Sequence, residues 1–128
     1  MEPLSPRRRG FTLVELLVVM AIVAVLLSIA APRYFGHLGR AREAALTETL
    51  AVTRDAIDKF YGDTGRYPKD LDELVSRRYL RAVPVDPITE RRDTWSPVTA
   101  PEALGGGMSD LHSGAEGKTR SGQAYEEL

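Results

Sequence analysis

The segment "RRRGFTLVELLVVMAIVAVLLSIAAPRY", residues 7–34, decides the fold class of this 128-residue chain. Three arginines precede Gly10, and an almost uninterrupted apolar run follows it. As an α-helix rising about 1.5 Å per residue, residues 11–31 would be about 32 Å long, enough to cross the roughly 30 Å hydrocarbon core of a bilayer. The sequence therefore predicts one membrane-spanning helix near the N-terminus, with a single carboxylate, Glu15, near its start.

Two ordinary interpretations of this segment each leave part of it unexplained. A cleaved secretory signal could end at Ser28-Ile29-Ala30, which has the small-x-small pattern of a cleavage site, but the apolar core of such signals is usually only about 7–15 residues long. An uncleaved signal anchor accounts for the length but not for Glu15. A charged side chain at membrane depth costs about 2–3 kcal/mol unless it is paired or near the interface. The residues alone leave both interpretations open.

The residues RRRGFTLVELLVVMAIVAVL resemble the class III signal of type IV pilins and type II secretion pseudopilins, and Pro32 matches the helix proline of these proteins. The resemblance implies that a prepilin peptidase cleaves between Gly10 and Phe11 and methylates the amino group of Phe11. It also implies an assembly role for Glu15, whose carboxylate would neutralise the N-terminus of a neighbouring subunit. Removing one partner of such a buried pair costs roughly 3–5 kcal/mol, so Glu15 would select the stagger between subunits.

Helical periodicity continues beyond Pro32. Proline inside a helix costs around 3 kcal/mol because it removes a hydrogen bond and crowds the preceding turn, so the helix either ends there or continues with a kink or a partly unwound turn. We favour a kinked continuous helix to Tyr61, with residues 11–31 as its membrane-spanning, filament-core half and residues 32–61 as its amphipathic domain half. Its apolar stripe is predicted to contain Leu38, Ala41, Ala45, Val52, Ala56 and Phe60, widened by Leu46, Leu50 and Ile57.

Residues 62–128 are predicted to form a small domain, which makes the fold α+β and pilin-like. Gly62, Gly65 and the Tyr67-Pro68 pair end the long helix. Asp70 followed by Glu73 resembles a capping box, and it predicts a short helix that runs to about Arg78.

A small antiparallel sheet is expected to pack against the long helix. Its strands are predicted at Thr94–Val98 and Met108–His112, with a proline-rich and glycine-rich loop between them. Trp95 is interpreted as a core or interface filler rather than a platform for a ligand. The last residues, GKTRSGQAYEEL, are polar and predicted to be loose.

The stretch GDTGRYPKDLDELVSRRYLRAVPVDP, residues 62–87, is similar to the domain start of the G-type major pseudopilins of type II secretion. That resemblance implies a calcium ion in the C-terminal loop, for which Asp110, Ser113 and Glu116 offer oxygen donors. The closely spaced aspartates of the family's loop are missing, however, and calcium takes about six to eight oxygen ligands. Calcium is therefore a possible cofactor, and the alternative is that Asp110 is an ordinary turn residue.

Composition excludes several function classes. The chain has no cysteine, so disulfide scaffolds, thiolate metal sites and cysteine nucleophiles are excluded. Without residues 1–10, which contain three arginines and one glutamate, the net charge falls from −1 to −3, which does not favour a nucleic-acid partner. His37 and His112 are isolated, and the stretch GAEGKT lacks the first glycine of a phosphate-binding loop. No residue pattern supports an enzyme.

The function implied by the resemblance is that of a structural subunit of the type II secretion pseudopilus, a periplasmic helical filament that drives protein export across the outer membrane. The chain would cross the bacterial inner membrane once, with a cytoplasmic N-terminus and a periplasmic domain. Implied partners are other copies of the chain, the prepilin peptidase, the inner-membrane secretion platform, minor pseudopilins and, before assembly, lipid. The alternatives are a type IV pilin and a monomeric, signal-anchored binding module that uses Trp95 and the loops.

Overall fold

A computed structural model of the chain describes residue 3 and residues 10–128. The leader predicted over residues 1–10, with its arginines Arg7–Arg9, lies outside the described residues except for Pro3 and Gly10. The chain divides into two compact units, of which the first ends at Leu38 and the second spans Gly39–Leu128.

The first element is a single helix, α1 (Leu13–Thr64), which continues through Pro32. The interpretation in which the helix ends at Pro32 is therefore wrong. The helix also extends three residues beyond the predicted Tyr61, to Thr64. It ends there because Gly65 adopts a left-handed conformation, with φ of 75°, and its amide donates to the Tyr61 carbonyl at 2.8 Å.

The core of the second unit forms on one face of α1. Leu46, Leu50, Ile57 and Phe60 are at most 1% exposed, and they pack with Leu74, Met108 and Leu111. Thr53 is buried on the same face because its hydroxyl donates to the Thr49 carbonyl at 2.8 Å. The apolar stripe predicted for α1 is thus correct at five positions, which are buried: Leu46, Leu50, Ala56, Ile57 and Phe60. Three other predicted positions, Ala41, Ala45 and Val52, are exposed.

The second helix, α2 (Leu71–Ser76), begins as predicted and ends two residues early. The Asp70 carboxylate accepts from the Glu73 amide at 2.9 Å, and the Glu73 carboxylate accepts from the Lys69 amide at 3.0 Å. In a standard capping box the glutamate would accept from the amide of the cap residue, Asp70; here it accepts from the amide of Lys69, one residue earlier. Arg78 lies outside the helix, with φ of 65°, because the chain turns back there to Tyr79, whose amide donates to the Leu74 carbonyl.

Two strands, β1 (Trp95–Thr99) and β2 (Met108–Ser113), form the expected antiparallel sheet. Their register pairs Trp95 with Ser113 and Val98 with Asp110. Both strands lie within one residue of the predicted spans. The inner face of β2 buries Met108 and Leu111 against α1.

The C-terminal residues are ordered by contacts with the rest of the second unit. Lys118 and Ala124 form a β-bridge, and a short 3-10 helix covers Tyr125–Glu127. Tyr125 and Leu128 pack against the core. The prediction of a loose C-terminus is therefore wrong, since two apolar side chains hold the polar stretch in place.

Candidate functional site

The start of α1 presents the residues on which the assembly hypothesis depends. Gly10 and Phe11 precede the helix, and Phe11 is 93% exposed. Thr12 caps the helix, because its hydroxyl accepts from the Glu15 amide at 3.1 Å. Sequence reasoning missed Thr12, although a threonine three residues before a glutamate is a recognisable capping signal.

Glu15 is the third residue of α1, in the turn where the helix dipole favours a carboxylate by about 0.3–1 kcal/mol. Within residues 10–128 this carboxylate forms no ion pair. The helix start thus contains an accessible negative charge that a positive group on another molecule can neutralise.

Residues 11–30, most of them in the first half of α1, form an exposed apolar surface. Every residue from Phe11 to Ala30 is exposed, and the fourteen large apolar side chains among them are 43–93% exposed. Burying one such side chain is worth about 1.5–3 kcal/mol, so leaving all of them in water is unfavourable by on the order of 20–40 kcal/mol. This surface, which we call the apolar sleeve (Phe11–Ala30), is therefore more favourable in an apolar environment than in water.

Pro32 lies two residues after the end of the sleeve and cannot donate to the Ser28 carbonyl. The Ser28 hydroxyl donates to the Val25 carbonyl at 2.7 Å, one turn earlier. A kink at Pro32 stays a prediction. Tyr34 and Phe35 are 65% and 67% exposed, and their rings meet edge to face with centroids 5.8 Å apart. Exposed aromatic rings just beyond an apolar helix are typical of a membrane interface.

Comparison with known proteins identifies the family. Residues 5–31 match the family model of the prokaryotic N-terminal methylation motif, a span that contains Gly10, Phe11 and Glu15. The type II secretion system core protein G of Klebsiella pneumoniae is 33% identical over 97 residues, which cover 63% of this chain and 69% of that protein. The chain belongs to the pilin-like family of the type II secretion core protein G. The resemblance that the sequence predicted is confirmed.

Type IV pilins are also similar to this member of the pilin-like family. The fimbrial protein EcpC of Eikenella corrodens is 30% identical over 83 residues, covering 61% of this chain and 54% of EcpC. The type IV major pilin protein PilE of Neisseria gonorrhoeae is 35% identical over 86 residues, covering 62% of this chain and 52% of PilE. The chain therefore spans about half the length of these two relatives. No solved structure matches it.

The three candidate calcium ligands of this family member do not converge. Asp110 lies inside β2 and not in a turn, and its Oδ1 accepts from Arg54 Nε and from the Leu111 amide, each at 2.7 Å. The Ser113 hydroxyl donates to the Asp86 carboxylate, and Glu116 is exposed. Across residue 3 and residues 10–128, no group of three or more His, Cys, Asp or Glu side chains is arranged to hold a metal ion. The side chains present do not fit a site of about six to eight oxygens.

The ionisation of Asp110 agrees with its contact to a cation. Burial of this carboxyl tends to raise its pKa, but the Leu111 amide and the Arg54 guanidinium outweigh that effect, and the pKa is lower than its ordinary value. The carboxylate is therefore charged, and Arg54 already provides its counter-ion.

Asp86 is a structural residue that sequence reasoning did not single out. It is fully buried, its Oδ1 accepts from the Ile88 amide at 2.8 Å, and its Oδ2 accepts from the Ser113 hydroxyl. The carboxylate thereby joins the loop after α2 to the end of β2. A signal was available, because an Asp-Pro pair favours the start of a turn and aspartate side chains often accept from the amide two residues on.

Trp95 lines a groove of about 660 Å³ in the second unit together with Leu71, Val75, Met108 and Leu111. Its indole nitrogen donates to the Pro84 carbonyl at 2.8 Å, and its ring packs against the core. The interpretation of Trp95 as a core filler is confirmed. Its single polar group is already bonded within the chain, which leaves none for a ligand.

Proposed function

We propose that this chain is a structural subunit of a type II secretion pseudopilus. The observation that carries the proposal is the apolar sleeve, which is exposed along its whole length and has Glu15 in the first turn of α1. Membership of the protein G family supports the same role. The subunit would be a substrate of processing enzymes and would itself have no catalytic activity.

Maturation would begin with cleavage between Gly10 and Phe11 by a prepilin peptidase, followed by methylation of Phe11. The accessibility of the scissile bond supports this step, because Gly10 and Phe11 are exposed and precede the helix. Cleavage removes Arg7–Arg9 and creates a positive amino group close to the first turn of α1.

Assembly would then exchange lipid for other copies of the chain around the sleeve. Lipid tails are as apolar as leucine, so this exchange gains little from the hydrophobic effect. Pairing of Glu15 with the amino group of a neighbouring copy would supply the specificity, because a charge left unpaired in an apolar bundle is costly.

The proposed location is the bacterial inner membrane, with the N-terminus in the cytoplasm and the second unit in the periplasm. The arginines before Gly10 support this orientation through the positive-inside rule. The secretion platform and minor pseudopilins are the further partners that we propose, and lipid covers the sleeve before assembly.

The test compares Glu15→Ala with Glu48→Ala, an exposed glutamate on the same helix, by crosslinking in membranes and by electron microscopy of sheared filaments. Glu15→Ala is expected to reduce crosslinked multimers about tenfold or more, whereas Glu48→Ala is expected to assemble like the unmodified chain. Intact-mass measurement should find a chain that begins at Phe11 with one added methyl group. Equal assembly of both variants, or a chain that retains residues 1–10, would refute the proposal.

A type IV pilin is the second candidate, supported by the similarity to EcpC and PilE. Deleting the gene in the native host distinguishes the two. Loss of secreted proteins from the medium supports the pseudopilus, and loss of surface filaments with normal secretion supports a type IV pilus.

A further inference from the structure

Arg54 connects three parts of the second unit. Its Nε donates to Asp110 Oδ1 at 2.7 Å, and its Nη2 donates to the carbonyls of Leu111 at 3.0 Å and Leu128 at 2.7 Å. The guanidinium on α1 thus holds the middle of β2 and the residue that ends the packed C-terminal segment. His112 supports the same point, because its Nδ1 lies 2.8 Å from the Leu128 carbonyl.

The acceptors around Arg54 are oxygens of the kind that calcium prefers. They comprise one carboxylate oxygen and two backbone carbonyls, which is fewer than the roughly six to eight ligands of a calcium ion. A guanidinium satisfies such a set better, because its planar donors are fixed in direction and it remains charged at any relevant pH.

The loop between β2 and the C-terminal 3-10 helix has a net positive charge, which disfavours a bound cation. Residues 114–124 contain one acidic residue, Glu116, and two basic residues, Lys118 and Arg120. The loop is closed by backbone groups instead, since the Thr119 amide donates to the Gln123 carbonyl at 2.7 Å beside the Lys118–Ala124 bridge.

We propose that the Arg54 guanidinium replaces calcium in this chain, holding the C-terminal segment to α1 as an internal cation, so that folding does not depend on the metal. The domain would keep the architecture that the resemblance associates with calcium while anchoring Asp110 by an ion pair. This inference concerns the second unit and does not depend on whether the chain polymerises.

The test measures thermal unfolding of the full chain in detergent micelles by the fluorescence of Trp95, the single tryptophan. The melting temperature should be the same, within about 2 °C, in millimolar calcium chloride and in excess EGTA. Arg54→Gln should lower it by about 5–15 °C, because a charge-assisted contact to three acceptors is lost. The matched control is Arg42→Gln on the same helix, α1. It removes an exposed ion pair with the loop residue Glu90 and should change the melting temperature by no more than about 2 °C.

Two further measurements separate an anchoring role from general destabilisation. In a double-mutant cycle, Arg54→Gln and Asp110→Asn should together cost clearly less than the sum of the two single changes. Hydrogen exchange should accelerate first at residues 118–128 in Arg54→Gln. A calcium-dependent rise in the melting temperature of the unmodified chain, direct binding of calcium below millimolar concentration, or equal effects of Arg54→Gln and Arg42→Gln would overturn the proposal.

Discussion

Replacing Asp86 by alanine should destabilise the second unit strongly, because the change leaves a buried hydroxyl and a partly buried amide without their acceptor. The carboxylate accepts from the Ile88 amide and the Ser113 hydroxyl, and each hydrogen bond to a charged group is worth about 1.5–3 kcal/mol. Relief from the cost of burying a charge offsets part of that loss. We expect a net loss of about 2–4 kcal/mol in the free energy of unfolding, which corresponds to about 8–30 °C in melting temperature for a unit of this size.

The assay is thermal unfolding of the full chain in detergent, followed through Trp95, whose indole donates to the carbonyl of Pro84 in the same loop as Asp86. Asp93→Ala is the control, because Asp93 pairs with Arg91 at the exposed surface and its removal should leave the melting temperature nearly unchanged. Combining Asp86→Ala with Ser113→Ala should cost less than the two changes separately. A melting temperature for Asp86→Ala within about 2 °C of the unmodified chain would refute the structural role of this carboxylate.

Gly114→Ala should destabilise the second unit by about 1–3 kcal/mol, because the added methyl group would collide with the Thr94 carbonyl. Gly62→Ala is the control in the same unfolding assay, since a methyl group there meets open space. Equal melting temperatures of the two variants would contradict the close approach of Gly114 to Thr94. Hydrogen bonds from the Arg66 side chain and then the Lys69 amide lower the pKa of Glu73 to about 2. Because the folded pKa lies below the unfolded one, this stabilisation is complete above about pH 4.5 and disappears as the pH falls through about 2. Glu73→Gln should therefore melt lower than the unmodified chain at pH 7 but not at pH 2, and a constant difference would exclude the ion pair as its cause.

Local patterns were sufficient where the determining residues are close in sequence. The apolar run and the Asp70 cap are each contiguous in sequence, and α1 and α2 begin within two residues of the predicted positions. The core face of α1 was centred wrongly because a polar residue, Thr53, occupies one of its buried positions, and its hydroxyl is satisfied within the helix.

Contacts between distant residues could not be predicted from the sequence. Arg54 and Asp110 are 56 residues apart, and Asp86 and Ser113 are 27 apart, so no local periodicity indicates either pair. The C-terminal stretch is polar on average, and its order depends on Tyr125 and Leu128 meeting a core built from other elements. Two apolar side chains are too few to change the average polarity of the C-terminal stretch, so its composition does not reveal that it packs.

The position at which α1 begins has a consequence for when the leader can be removed. The first hydrogen bonds of α1 are both accepted by Thr12, whose carbonyl accepts from the Leu16 amide and whose hydroxyl accepts from the Glu15 amide. Thr12 lies after the peptide bond between Gly10 and Phe11. Cutting that bond breaks none of the bonds of α1. If a peptidase cuts at this bond, as we propose, α1 need not unwind for it, so cleavage would be compatible with a second unit that has already folded or with one that folds later.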